Sequence, residues 1–227
     1  MEVDSKIIVV PWDFTPVTEY ALQHAIKISL MTRNDVCLLH IVEKITTDGG
    51  MKAKQAAMEN RGAEVERRFG VKVLTHVTRG TIFKQIPEFV NDRKASLVVM
   101  GTHGMSGMQK LTGSWALKVI AKSKVPYIVV QAPPADNEKY HDIVFPVDFR
   151  AEEKEKLSMA IFMGKYFDSK VHILKAVRKD DSLAKKTNLN LNYTVRMLIQ
   201  NNIEYEIREE PADKLGERAL EVAQEIK

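Results

Sequence analysis

Cysteine is almost missing from this chain of 227 residues, in which Cys37 stands alone. A single cysteine forms no disulfide within the chain, which excludes a disulfide-stapled scaffold and favours a reducing, cytoplasmic location. Because Cys37 lies inside the apolar run 36–39, we expect a buried, inert thiol rather than a nucleophile. The polar first residues lack the apolar core of a signal peptide, and no apolar run approaches the ~20 residues of a membrane span.

A marked excess of one charge is also missing. Lysine and arginine number 34 against 30 acidic residues, and the net charge of +4 is spread along the chain. This balance predicts neither a dedicated nucleic-acid surface nor a membrane partner. With 44% hydrophobic and 28% charged residues, the composition is that of a soluble globular protein, and the length is enough for two average domains.

The common signatures of catalysis are missing as well. The glycine-containing segment 101–114 has no Gly-Lys-Ser/Thr of a P-loop, so it lacks the lysine that serves the β- and γ-phosphates. No serine or cysteine nucleophile signature surrounds His103, and no histidine has a partner at metal-ligand spacing. The sequence therefore predicts no catalytic residue and no protein metal site.

What the chain does contain is a regular alternation of apolar runs and amphipathic segments over residues 6–131. The runs predict strands at 7–10, 36–42, 71–77, 96–100 and 125–130, and the segments between them predict helices at 16–32, 52–69, 80–91 and 115–122. Such alternation favours an α/β fold, with a doubly wound five-stranded parallel sheet of order 3-2-1-4-5 and helices on both faces.

The beginning of this pattern occurs twice. Ile8–Thr15 matches Ile143–Arg150 at an offset of 135, and the ungapped match extends to Val42 and Val177. We predict a first domain over 1–132, a proline-containing linker over 133–140, and a partial second copy over 141–227. The second copy stops before a fourth strand and a second glycine loop. Since the run 143–147 would then form an open sheet edge, we expect a longer natural chain or another element that covers it.

The segment 101–114 is the candidate ligand site. Its glycines let backbone N–H groups turn toward an anion, and the helix that follows adds its positive N-terminus. In a sheet of order 3-2-1-4-5, ligands bind between strands 1 and 4. Asp13 ends strand 1 and Gly101 ends strand 4, so the two should converge. The Asp13 carboxylate suits a ribose hydroxyl or an adenine amine, and the alternative reading is an Asx turn.

These residues carry a family resemblance. Pro11-Trp-Asp13-Phe, the run Leu38–Val42, and Gly101-x-x-Gly104 leading to Gly113-Ser114 resemble the universal stress protein family, and the whole chain resembles its tandem-domain members. The ATP-binding members have nine residues between the second glycine and the Gly-Ser or Gly-Thr pair. This chain has eight, residues 105–112.

The resemblance implies that the first domain binds an adenine nucleotide, namely ATP, or else ADP or AMP, with Mg²⁺ as a candidate companion. It also implies the binding residues. Asp13 and Ile41 would contact the adenine and ribose, and Pro11 would shape the end of the strand. The residues around the ribose and phosphates would be Met100, Gly101, His103 and Gly104. The phosphate tail would be bound by Gly113 and Ser114.

In the second copy Pro146 and Asp148 match this pattern, but Ala176 replaces Ile41 and no glycine loop follows, so we expect no nucleotide there.

Three functions follow in order of preference. The first is a stress-response regulatory or interaction protein whose partners or assembly change with nucleotide occupancy, with at most slow ATP hydrolysis. The second is a nucleotide-free structural or interaction module of the same fold. The third is an ATP-dependent transferase. We also expect a homodimer, or an intrachain pairing of like domains, through the edge strand 125–130.

Overall fold

The chain divides into two units, residues 1–135 and 136–227, each with a parallel sheet of its own. The computed structural model describes residues 6–102, 113–134, 140–150 and 153–226. The predicted linker falls largely on residues 135–139, which lie outside these ranges. Among the described helices, none is long and apolar enough to cross a membrane.

The sheet of unit 1 has the predicted order β3-β2-β1-β4-β5, and all four strand pairs are parallel. The central strand β1 is β-branched and buried on both faces, as parallel strands are when helices cover both sides. Its place in the middle puts its carboxyl end beside those of β2 and β4. The bounds are β1 Ile7–Pro11, β2 Asp35–Val42, β3 Val73–Arg79, β4 Leu97–Gly101 and β5 Tyr127–Val130.

The helices of unit 1 are α1 Pro16–Thr32, α2 Asp48–Phe69, α3 Ile82–Asp92 and α4 Gly113–Ile120. The predicted start of α2 at residue 52 was wrong. Thr47 caps the helix by accepting a hydrogen bond from the Gly50 N–H at 3.2 Å, so the two glycines belong to the first turn rather than to a loop. The predicted start of α4 at residue 115 was also two residues late.

One apolar cluster fills the space between the unit 1 sheet and helices α3 and α4. Cys37 belongs to it, as predicted, and is 3% exposed. Burial raises the pKa of its thiol to about 12, so the sulfur stays neutral and unreactive at cellular pH. The buried members of the cluster are Val9, Cys37, Leu39, Ile86, Val90, Ala95, Val98, Met100, Ala116 and Val119.

Unit 2 repeats the strand register of unit 1. In unit 1, Ile8 pairs with Val36, and in unit 2 the residues 135 positions later, Ile143 and Val171, pair in the same way. The described strands have the order β6-β7-β8, with β6 at one edge. The elements of this unit are β6 Asp142–Val147, α5 Glu153–Phe167, β7 Lys170–Val177, α6 Asp181–Gln200, β8 Tyr205–Pro211 and α7 Leu215–Glu225.

A charged cluster crosses the sheet of unit 2. His172 of β7 is 5% exposed, and its Nε2 lies 2.6 Å from Asp142 Oδ1 while its Nδ1 lies 2.8 Å from Glu206 Oε1. A carboxylate only accepts hydrogen bonds, so both contacts are satisfied together when the imidazole carries both protons. In unit 1 the equivalent position of His172 is Cys37, in an apolar cluster. The position thus carries an imidazole between two carboxylates in unit 2 and a thiol in an apolar cluster in unit 1.

The charged cluster makes the stability of unit 2 depend on pH. Hydrogen bonds from His172, and next from Lys170, lower the pKa of Glu206 from 4.5 to about 2. Since the folded-state pKa lies below the unfolded value, the carboxylate stabilises the fold above about pH 4.5, and this contribution is lost as the pH falls toward 2. We therefore expect Glu206→Gln to destabilise unit 2 most at neutral pH, with the difference from wild type shrinking in acid.

Urea unfolding followed by circular dichroism measures this difference. Both tryptophans, Trp12 and Trp115, lie in unit 1, so tryptophan fluorescence identifies the unit 1 transition separately. Glu204→Gln is the matched control, because the Glu204 side chain is 75% exposed and its one ion pair within the described ranges is with Lys170, at 3.5 Å. A Glu206→Gln effect that is the same at pH 7 and pH 3 would contradict the prediction.

Candidate functional site

The carboxyl ends of β1 and β4 form the candidate site. Val9 of β1 pairs with Val98 of β4, so the two strands finish side by side at Pro11 and Gly101. Pro11 is buried, and Asp13, two residues further on, is exposed. The sheet order reverses between these two strands, which is where doubly wound sheets bind ligands.

Asp13 forms the Asx turn that was the alternative reading of this residue. Its Oδ1 accepts hydrogen bonds from the Thr15 N–H at 3.0 Å, the Thr15 hydroxyl at 2.5 Å and the Thr18 hydroxyl at 3.2 Å. The carboxylate nevertheless remains at the surface. The turn and a ligand-binding role are therefore compatible, because every donor that the described residues give this carboxylate reaches Oδ1 and none reaches Oδ2.

Gly101 allows α1 to approach the end of β4. A Cβ built at this glycine would lie 2.3 Å from the Val17 carbonyl oxygen and 3.2 Å from the Thr18 nitrogen. The missing side chain of Gly101 therefore makes room for the first turn of α1, whose Thr18 also binds Asp13. The structure thus brings Asp13 and Gly101 together through a single helical turn, while a direct contact of Gly101 with a ligand stays a prediction.

Phe14 follows Asp13 in an unusual backbone conformation. Its φ of +67° is in the left-handed region, which is uncommon for a bulky residue. Its ring centroid lies 5.1 Å from that of His40 and 6.1 Å from that of Trp12, and the Lys54 ammonium lies 4.5 Å from the ring centre. These ring contacts stabilise the strained backbone of the turn that carries Asp13.

His40 ties the end of β2 to the end of β1. Its Nδ1 donates to the Trp12 carbonyl oxygen at 2.6 Å, and the Trp12 N–H donates to the Leu39 carbonyl oxygen at 2.8 Å. Burial, the largest effect on this imidazole, lowers the pKa of His40, which favours the neutral ring at neutral pH. The segment that carries Asp13 is therefore fixed on both sides before any ligand enters.

The remaining predicted site residues differ in their burial and in whether the structure describes them. Met100 is fully buried, in the same apolar cluster as Ala116 and Val119 of α4, and Ile41 is half-buried near the end of β2. His103 and Gly104 lie outside the described residues. Gly113 and Ser114 form the start of α4. The free N–H groups of a helix start favour an anion at this end of the sheet.

The sequence reasoning missed Thr15, Thr18, His40 and Lys54 as parts of this site. The two threonines had a signal that was available, since hydroxyl residues two and five positions after a strand-end aspartate can both reach its carboxylate. His40 and Lys54 had none, because their contacts join separate elements of the fold.

The equivalent place in unit 2 is closed by an ion pair. Asp148, the counterpart of Asp13, is 7% exposed, and its Oδ2 lies 3.1 Å from the Nε of Arg150. The Arg150 N–H also donates to Asp148 Oδ1 at 2.8 Å, and the Asn190 amide donates to the carbonyl oxygens of both residues. Both carboxylate oxygens are thus engaged within the unit, whereas Asp13 is exposed.

Residues 5–131 match the family model described as the universal stress protein family. The chain belongs to the universal stress protein family. A universal stress protein of Methanocaldococcus jannaschii is 30% identical over 141 residues, which are 56% of this chain and 83% of that protein. The residues that the family model matches span the whole of the unit 1 sheet, with both strand ends of the candidate site.

Solved structures of other universal stress proteins extend the similarity. One from Archaeoglobus fulgidus covers 98% of this chain and 84% of its own at a TM-score of 0.76, with 18% identity, and so shares the fold across both units. Another, from the same organism and solved in complex with dAMP, covers 56% of this chain and 98% of its own at 18% identity and a TM-score of 0.45.

The close approach at Gly101 predicts a sharp loss of stability in Gly101→Ala. The added methyl group would overlap the Val17 backbone, which cannot move without shifting α1, so we expect unit 1 to lose about 3 kcal/mol, at the upper end of typical overpacking costs. Urea unfolding followed by tryptophan fluorescence measures the loss.

Gly49→Ala is the control for Gly101→Ala, because a Cβ at Gly49 meets nothing within 4 Å and alanine suits a helix better than glycine. We expect it to leave the stability unchanged or slightly higher. Equal stability of Gly101→Ala and wild type would contradict the assigned role of Gly101.

Proposed function

We propose that this universal stress protein binds an adenine nucleotide in unit 1, at the carboxyl ends of β1 and β4, and that occupancy regulates its partners in a cytoplasmic stress response. ATP with Mg²⁺ is the preferred ligand, and ADP and AMP are the alternatives. The observation that carries the proposal is the exposed, pre-oriented carboxylate of Asp13 at the point where the sheet order reverses, in a chain of this family.

The donor and acceptor set suits such a ligand. Asp13 offers an acceptor for the hydroxyls of a ribose or the amine of an adenine, and half-buried Ile41 offers apolar surface for a base. The start of α4 at Gly113 supplies N–H groups for phosphates. Bound ATP would bring its own Mg²⁺ ligands through the phosphate oxygens.

The two units differ in what they offer a nucleotide. In unit 2 the side chain of Arg150 already neutralises Asp148, and Ala176 takes the place of Ile41. A ribose hydroxyl would have to displace Arg150, whose side chain is 60% exposed, in order to reach the buried carboxylate of Asp148. We therefore expect one nucleotide per chain.

Isothermal titration of the full chain with ATP, ADP, AMP and dAMP tests the proposal. We expect binding with a stoichiometry of one, and we expect Asp13→Ala to weaken ATP binding by at least about tenfold, since a hydrogen bond to a charged group contributes about 1.5–3 kcal/mol. Asp148→Ala is the matched control, and its ATP affinity should equal that of wild type. Absence of heat with every nucleotide on a folded chain would overturn the proposal.

The ion pair between Asp148 and Arg150 favours a second role, that of an interaction module, for unit 2 alone. A unit that keeps three parallel strands of the fold and binds its strand-end carboxylate internally is suited to act as an interaction module. In this arrangement unit 1 senses the nucleotide and unit 2 contributes surface. The same titration distinguishes this arrangement from a chain in which neither unit binds a nucleotide, because such a chain would give no heat of binding.

We further propose that two chains pair through β5. This strand is the last of the unit 1 sheet, and Val129 on it is 44% exposed. An exposed apolar edge strand offers backbone groups and side chains to a second copy of itself. Val130, by contrast, is 8% exposed and packs within its own unit.

Light scattering tests the pairing. We expect a dimer for wild type and a monomer for Val129→Lys, because a lysine at the paired edge would place like charges side by side. Leu74→Lys is the matched control, since Leu74 is 38% exposed on β3, at the opposite edge of the same sheet. A monomeric wild type, or a Val129→Lys variant with unchanged mass, would rule out pairing through β5.

A further inference from the structure

Thr18 occupies the junction of three elements beneath the candidate site. It lies in the first turn of α1, is 2% exposed, and its backbone nitrogen approaches Gly101 at the end of β4. Its hydroxyl lies 3.2 Å from Asp13 Oδ1 and 2.9 Å from the Thr15 carbonyl oxygen. A hydroxyl has one proton, so Thr18 shares it between the carboxylate and the helix backbone.

These contacts decide which oxygen of Asp13 is available. Oδ1 receives all three of the donors that the structure gives this carboxylate, from Thr15 and Thr18. In the described part of the chain, no residue donates to Oδ2. Among the described residues, the carboxylate is therefore held through Oδ1, and Oδ2 keeps its capacity to accept a hydrogen bond.

Unit 2 shows what the same aspartate does with other neighbours. The positions equivalent to Thr15 and Thr18, at the offset of 135, are Arg150 and Glu153. There the carboxylate of Asp148 is 7% exposed and both of its oxygens are bound by Arg150. The same aspartate is thus exposed in unit 1, where Thr15 donates to one of its oxygens, and buried in unit 2, where Arg150 binds both.

We propose that Thr18 is a positioning residue that orients the Asp13 carboxylate, through Oδ1, so that Oδ2 receives the nucleotide, and that Gly101 serves by letting Thr18 reach this place. The inference rests on the proposed nucleotide binding of unit 1. Thr18 itself is too deeply buried to touch a ligand, so its effect on affinity passes through Asp13.

The test is a cycle of variants measured by isothermal titration with ATP and Mg²⁺. Thr18→Val keeps the shape of the side chain and removes the hydroxyl, and should weaken binding about threefold to tenfold, the range expected for one hydrogen bond. Thr18→Ser keeps the hydroxyl and should bind like wild type. In an Asp13→Ala background, Thr18→Val should cause no further loss, because the group it orients is gone.

A ligand-free measurement keeps the inference testable apart from affinity. The Thr15 N–H donates to the same Oδ1, so its hydrogen exchange should be faster in Thr18→Val than in wild type or Thr18→Ser. Circular dichroism and the unfolding midpoint show whether each variant is folded. If Thr18→Val does not fold, Thr18→Ala and Thr18→Ser replace it in the cycle.

The outcomes separate this inference from the proposed function. If wild type binds ATP and Asp13→Ala weakens it, but Thr18→Val has unchanged affinity, the positioning role is overturned and the binding proposal stands. An equal loss from Thr18→Val with and without Asp13 shows a purely structural role and also overturns the inference. If wild type binds no nucleotide, both fail together.

Discussion

The central place of β1 in a parallel sheet is the constraint on which the site depends. Parallel pairing with β2 on one side and β4 on the other sends three carboxyl ends to one edge of the sheet. Gly101 then allows the first turn of α1 to pack against the end of β4. The same helical turn carries Thr18, which donates a hydrogen bond to Asp13 in the turn after β1. A side chain at Gly101 would overlap the backbone of Val17, so helix and strand could not keep this contact.

The two units show how a repeated fold can diverge without losing its register. Ile8 and Ile143 make equivalent pairs with Val36 and Val171, so the first two strands of each unit share one register. The described part of unit 2 has three strands where unit 1 has five, and the units also differ in the side chains on their equivalent strands. Arg150 closes the strand-end carboxylate of unit 2. We interpret unit 1 as the unit with an open candidate site. We interpret unit 2 as a unit that has the same parallel strand pairing but a strand-end carboxylate bound by Arg150.

Much of the fold could be predicted because its signals are local. The apolar run before Pro11 predicted the bounds of β1 to within one residue, and Pro16 predicted the first residue of α1. The errors came where local signals conflict. Gly49 and Gly50 indicated a loop, yet the side chain of Thr47 caps the helix just before them, so that both lie in its first turn. The low helix propensity of glycine is a weak signal that such a cap can outweigh.

The sequence alone determined the α/β class, the repeat, and the places of Asp13 and Gly101 at the ends of their strands, because hydrophobic period and strand-end position are properties of neighbouring residues. The strand order was predicted from the doubly wound class, and the structure confirms it. Only the tertiary structure showed that Thr18 supports Asp13, that Gly101 faces Val17, and that the histidine of β7 joins two carboxylates across a sheet. These contacts join residues from separate elements, and their distances are set by packing, which no local pattern encodes.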